Sequence, residues 1–220
     1  MQTTFLLLHG AFANSQQFQE LKAALGDAQV FTFDFYGHDE TPTTQPFSIE
    51  GFAEQTKNFI EHHNLQEITI IGYSMGGYVA AYLARKYALP ISRIVTLATK
   101  WNWAEADVAM LEGAVAADKV TPPYMQGFDK EILANLKQQT ILMLKNLVTN
   151  PSLLSDDFQG INTPLLICTG EKDKLATPSE TLTIGALFPS ETCRVEILPN
   201  TYHAIERLDC EAFLQVLRKG

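Results

Sequence analysis

The sequence lacks most of what would take a chain out of the ordinary globular class. No apolar run approaches the ~20 residues that a membrane helix needs. The earliest run, Phe5-Leu6-Leu7-Leu8, stops at His9-Gly10. It is too short for a secretory leader, and no Lys or Arg precedes it, the first cation being Lys22. Cysteine is scarce. Cys168, Cys193 and Cys210 are odd in number and have no C-x-x-C spacing, so they read as buried or free thiols of a reducing compartment. Positive charge is in deficit, with 16 Lys+Arg against 25 Asp+Glu and a net charge of −9. An anionic surface without a basic arm repels phosphate backbones. There is no internal repeat and no low-complexity segment. These absences imply a cytoplasmic protein with no membrane or nucleic-acid partner, acting on a small-molecule substrate. Its oligomeric state stays open.

What is present is a full core's worth of apolar residues. The chain has 220 residues, 46% of them hydrophobic and 19% charged. That length fits one domain, or one domain carrying an insertion. The dominant rhythm is a short apolar strand, a turn, then an amphipathic helix. Strands are expected at Thr3–Leu8, Val30–Phe35, Ile68–Ile71, Ile94–Ala98, Leu165–Cys168 and Val195–Leu198. Helices are expected at Phe18–Leu25, Ile49–His63 and Val79–Tyr87, and at the C-terminus around Phe213, Leu214 and Leu217. Strands apolar on both faces belong in a sheet covered on both sides, and alternation with helices makes that sheet mostly parallel. The expected architecture is α/β, with about six strands.

The rhythm breaks between Lys100 and Thr163, where no strand signal occurs. Ala104–Asp118 and Asp129–Val148 have helical patterns, and Asp129 is a plausible N-cap. We read residues 101–160 as a helical cap inserted into a core made of 1–100 and 161–220. The alternative is that these helices simply pack on the sheet.

The segment that carries chemistry is Gly72-Tyr73-Ser74-Met75-Gly76-Gly77. It follows an apolar strand and precedes an Ala-rich helix. A serine at a sharp strand-to-helix turn takes a strained backbone, and the residues two away crowd the adjoining strand and helix, so glycine is required there. A bare G-x-S-x-G arises by chance in roughly a few per cent of chains this long, so the strand-turn-helix context decides its weight. Serine is a weak nucleophile and needs a base oriented by an acid. The strand through Leu165–Cys168 runs into Gly170-Glu171-Lys172-Asp173, which offers Asp173, with Glu171 as a competitor. The next strand runs into a loop carrying His203. Parallel strands end at one sheet edge, so all three side chains are expected there. His9-Gly10-Ala11 ends the first strand, and the Ala11 N–H can pair with that of Met75 as an oxyanion hole. His9 is expected to hold its loop, and His38 to sit in a turn near the rim of the site. His62 and His63 are adjacent at a helix end, share no face and have no third ligand at metal spacing, so no metal site is expected.

Together these pieces resemble the α/β-hydrolase fold superfamily over nearly the whole chain. They are His9-Gly10-Ala11, Asp34-x-x-Gly37-His38 with Thr41, Gly72 to Gly77, Gly170-x-x-Asp173 with Pro178, and Tyr202-His203 with Glu206. The resemblance implies Ser74 as nucleophile, His203 as base, Asp173 as acid, and Ala11 and Met75 as oxyanion donors, with no cofactor. It also implies a cap where this chain has Trp101–Gly160. Two departures stand out. Residue 3 already opens what resembles the family's third strand, which makes this a minimal core. The family's frequent Gly-x-Gly-x-Ser is here Gly37-His38-Asp39-Glu40-Thr41.

The function implied is that of an esterase-like serine hydrolase acting through an acyl-enzyme. Phe12, Tyr73, Trp101, Trp103 and Met143 are expected to line a partly apolar substrate pocket. The same fold hosts C–C bond hydrolases, lyases and non-catalytic receptors, so fold alone does not choose the reaction.

Overall fold

The computed structural model describes residues 3–150, 161–204 and 209–219. Its centre is a six-stranded sheet of β1 (Thr4–Leu8), β2 (Gln29–Thr32), β3 (Ile68–Tyr73), β4 (Ile91–Leu97), β5 (Leu165–Gly170) and β6 (Cys193–Leu198). The strands lie in the order β2-β1-β3-β4-β5-β6, and every neighbouring pair is parallel. The expected α/β fold is the one observed.

Alternate residues of each strand feed two separate cores. Leu6, Leu8, Ile68, Ile70, Ile94, Leu165 and Ile167 face one side. Phe5, Leu7, Ile71, Val95, Leu97, Leu166 and Cys168 face the other. That two-sided burial explains why the strands read as unbroken apolar runs rather than alternating ones. On the first face lie α2 (Ile49–His62) and α3 (Met75–Lys86), with Ile184 of α6 (Pro178–Gly185). On the second lie α1 (Gln19–Ala24), preceded by a 3-10 turn at Ser15–Phe18, and α7 (Cys210–Arg218). In α7, Phe213, Leu214 and Leu217 are buried, and each contributes about 2 kcal/mol of transfer free energy.

Short side chains set the helix starts. Ser48 accepts from Gly51 N–H, Asp129 from Glu131 and Ile132, Thr177 from Glu180, and Asp209 from Ala212. Each such cap is typically worth about 1 kcal/mol. The N-cap expected at Asp129 is present. α6 has no counterpart in the sequence reading, although Thr177-Pro178 with Glu180 is a legible start signal.

Three elements differ from expectation by three residues or more, one being β4, which begins at Ile91 rather than Ile94. β2 ends at Thr32, not Phe35. Phe33 and Phe35 leave the sheet to pack on α2, with Phe33 stacked on Phe59 and Phe35 on Phe52, both at 4.7 Å. α3 begins at Met75, directly after the serine, rather than at Val79.

Between β4 and β5 the described chain holds α4 (Glu105–Ala116), a 3-10 turn at Pro123–Met125 and α5 (Lys130–Thr149). α4 packs on α5. Residues 151–160 of the expected cap, and Glu206, lie outside the described residues. No described helix is long and apolar enough to cross a membrane.

Candidate active site

Ser74 follows the last residue of β3 with φ 50° and ψ −114°. That is a positive φ on a residue with a Cβ, a conformation that persists only when its surroundings impose it. Two glycines do the imposing. A Cβ on Gly72 would lie 2.3 Å from the Gly76 carbonyl oxygen, and one on Gly76 would lie 2.0 Å from that of Leu8. Only bare backbone lets β3, α3 and β1 approach so closely. Ser74 N–H donates to Leu97 O at 2.8 Å, which fastens the turn to β4. The serine is partly exposed above the carboxyl edge of the sheet.

Asp173 lies in the turn after β5, and its carboxylate is fully shielded from solvent. Oδ1 accepts from the N–H groups of Leu175 (2.8 Å) and Ala176 (2.9 Å). Oδ2 lies 2.8 Å from His203 Nδ1, the geometry of an imidazole N–H donating to a carboxylate. Glu171, the competing acid, turns elsewhere: its Oε2 accepts from Asn200 N–H at 2.9 Å. A Cβ on Gly170 would lie 2.3 Å from Thr201 O, so glycine there lets the loop that carries His203 close onto β5.

The loop after β1 is clamped from both sides of Gly10. Gly10 N–H donates to Gln17 Oε1 at 2.8 Å. The Gly10 carbonyl, in the same peptide as the Ala11 N–H, lies 2.9 Å from His9 Nδ1. Phe35 N–H donates to His9 Nε2 at 3.0 Å. A nitrogen that accepts carries no proton, so the proton is on Nδ1 and the ring is neutral. Burial supports this, pushing the His9 pKa from 6.5 down to about 4 against the opposing pull of the Gly10 carbonyl and Asp34. In a trans peptide the N–H points opposite to the C=O, so the Ala11 N–H is directed away from His9. Met75 is the first residue of α3, where the N–H has no partner within the helix.

A cavity of about 290 Å³ opens over these groups. Its wall includes Ser74, His203, Ala11, Met75, Phe12, Tyr73, Trp103 and Met143, so eight of the expected site residues meet there. Asp173 stands behind His203. Trp101 does not line it. Its ring is 1% exposed and packs against Tyr78 with centroids 5.9 Å apart. The reason is local: Glu180 Oε1 accepts from both Trp101 and Asn102 N–H, which draws the start of the insertion onto α6. His38 is also displaced from expectation. It is completely buried, stacked on Phe47 at 4.8 Å and 4.9 Å from the His9 ring, rather than at the rim. Burial and the neighbouring His9 hold its pKa well below the usual value.

Two contributors escaped the sequence reading. Gln17 is 8% exposed and lines the cavity. Only its distance of seven residues from Gly10 hinted at a loop contact. Lys100, also on the wall, is held by Glu180 at 3.0 Å and Asp107 at 3.3 Å. Tyr73 was expected to touch substrate, but its hydroxyl donates to the His203 carbonyl at 2.9 Å. Among the described residues, no group of three or more His, Cys, Asp or Glu converges to hold a metal.

The chain belongs to the α/β hydrolase fold family, which it matches over residues 3–148. Among curated relatives, it is 24% identical to sn-1-specific diacylglycerol lipase ABHD11 of Mus musculus, over 90% of this chain and 74% of that protein. It is 31% identical to the pimeloyl-[acyl-carrier protein] methyl ester esterase of Neisseria meningitidis, over 61% of this chain and 43% of that protein. A probable alcohol acetyltransferase of Wickerhamomyces anomalus is 34% identical, but the match spans 37% of this chain and only a quarter (25%) of that protein. Among solved structures, a lipase-esterase related protein of Clostridium acetobutylicum superimposes with a TM-score of 0.75 at 21% identity, over 99% of this chain and 93% of that one.

Proposed function

We propose that the chain is a serine hydrolase that cleaves a carboxylic ester of a small, partly hydrophobic acyl group. The observation that carries this reading is the 2.8 Å contact of His203 with Asp173 on the same cavity wall as a strained Ser74. Family membership and relatives named as lipase and esterase support it.

In this mechanism Ser74 Oγ attacks the acyl carbonyl carbon while His203 Nε2 takes its proton. Asp173 holds the ring in the tautomer that leaves Nε2 free to accept, and stabilises the imidazolium that results. The carbonyl oxygen becomes an oxyanion between the N–H groups of Ala11 and Met75, each such donor being worth about 3 kcal/mol in the transition state. Collapse expels the alcohol, which takes its proton from His203. Water, deprotonated by His203, then attacks the acyl-enzyme and releases the acid. We assign substrate contacts to Phe12, Trp103 and Met143. A cavity of about 290 Å³ is at the lower end of the usual range for ligand sites, roughly 300–1,000 Å³. Lys100 is neutralised by two carboxylates, and, Lys119 apart, the rest of the wall is mostly apolar and favours an uncharged, short acyl chain.

A second reading changes only the acceptor. The local similarity to alcohol acetyltransferases favours an acyl-enzyme that passes its acyl group to an alcohol instead of water.

The test combines p-nitrophenyl butyrate with a fluorophosphonate probe. Turnover and covalent labelling are expected, and both disappear in Ser74→Ala. Ethyl butyrate formed in the presence of ethanol selects the transfer reading. Labelling without ester turnover points to C–C hydrolysis or lyase chemistry on the same serine. Neither turnover nor labelling refutes the enzyme reading and leaves a ligand-binding protein.

A further inference from the structure

The loop that carries His203 is fixed mainly from one side. Lys172 N–H donates to Thr201 O at 2.9 Å, Asn200 N–H to Glu171 Oε2, and Thr201 N–H to Leu198 O. All of these tie it to the β5–β6 end of the sheet. Ser74 directly follows β3, which is two strands away from β5. Across that gap the described residues provide one tether to His203 from the β3 side, the Tyr73 hydroxyl donating to the His203 carbonyl oxygen at 2.9 Å across 130 residues of sequence.

Tyr73 is well placed for this. It is the residue immediately before Ser74, so its backbone moves with the nucleophile. Its ring is wedged: a Cβ on Gly10 would lie 2.8 Å from two of its ring carbons, and the His203 ring lies 5.7 Å away on centroids. It is 9% exposed, so the hydroxyl has a fixed direction. A phenol has one proton to donate, and here it goes to the carbonyl. Asp173 orients the imidazole at Nδ1, but it does not set where the His203 backbone stands relative to β3.

We propose that Tyr73 is a positioning residue that holds the His203 backbone in register with Ser74. This rests on the reading of Ser74 as nucleophile and His203 as base. The tether makes the separation of the two reacting groups independent of breathing in the 199–204 loop. It acts through His203 and has no part in binding substrate through its hydroxyl. The reason for such a device is quantitative, because a misplacement of about 1 Å between reacting groups can cost up to about 100-fold in rate.

The test is a double-mutant cycle of Tyr73→Phe with His203→Ala, read as p-nitrophenol release from p-nitrophenyl butyrate and as the rate of fluorophosphonate labelling. Tyr73→Phe removes one oxygen and leaves the packed ring. It is expected to lower kcat and the labelling rate about 10-fold, with KM within about twofold, since the loss falls on alignment for proton transfer and not on binding. In the His203→Ala background the same substitution is expected to have no further effect, because its partner in the mechanism is already gone. An equal loss in both backgrounds, a change in KM alone, or no loss at all overturns the proposal. A His203→Ala enzyme as active as the wild type overturns instead the triad on which it rests. Thermal melting of both variants separates these outcomes from unfolding, and Tyr73→Phe is expected to melt within a few degrees of the wild type.

Discussion

The buried His9 imidazole makes the stability of this protein sensitive to pH in a calculable way. Burial lowers its pKa from 6.5 to about 4. Above pH 6.5 the ring is neutral in both the folded and unfolded chain, and its contribution does not change with pH. Below that value the unfolded chain takes up a proton that the folded chain refuses, so stability falls until the folded ring also titrates near pH 4. At 1.36 kcal/mol per pH unit the whole interval is worth about 3 kcal/mol, of which about 1 kcal/mol is lost between pH 7.5 and 5.5. His38, buried beside it and displaced in the same direction, adds to the loss. Asp34 attracts the proton to His9 and opposes it. Urea melts followed by tryptophan fluorescence at pH 7.5, 6.5 and 5.5 measure the effect. His9→Gln, which cannot titrate, is expected to shrink the loss between pH 7.5 and 5.5 by about 1 kcal/mol. Parallel pH dependences in the two proteins would refute the reasoning, as would a wild-type stability that does not change over this range.

Other substitutions probe the joints of the site. Gly76→Ala would set a Cβ 2.0 Å from Leu8 O, forcing α3 away from β1, and is expected to cost about 3 kcal/mol or more in a denaturant melt. Glu180→Ala removes the acceptor for Lys100 and for two backbone N–H groups. The expected cost is about 3 kcal/mol by the same assay, since it strips a partner from a mostly buried ammonium. Gln17→Met removes the acceptor of Gly10 N–H, and a fall of about tenfold in kcat is expected from a loosened oxyanion loop. Its melting temperature should change little, because the buried Gly10 N–H that it leaves unpaired is offset by removal of the buried Gln17 Nε2, which has no partner among the described residues.

Much of the fold was legible because its signals are local. Ile68–Ile71, Ile94–Ala98 and Leu165–Cys168 read as strands because each is covered on both faces, and Asp129 read as a cap because its carboxylate bonds its own neighbours. Ser74 was legible for the same reason. The demand for Gly72 arises within the turn, where a Cβ would meet the Gly76 carbonyl four residues on, whereas Gly76 answers to the Leu8 carbonyl on β1. The misreadings concern residues whose place depends on distant partners. Phe33 and Phe35 had strand character, but the rings of Phe59 and Phe52 on α2 outbid the sheet. Trp101 looked like a pocket residue until Glu180, 79 positions away, fastened its backbone to α6. His38 does sit in a turn, but Phe47 covers it and keeps it from the rim of the site.

The sequence alone settled the architecture and named the three side chains proposed for catalysis, because apolar periodicity and the steric demand of a tight turn act between near neighbours. Only the tertiary structure settled which acid faces His203, which residues wall the cavity, and that a tyrosine beside the serine hydrogen-bonds the histidine's carbonyl. Those choices depend on which strands end side by side. The order β3-β4-β5-β6 is a property of the assembled sheet and of no single segment.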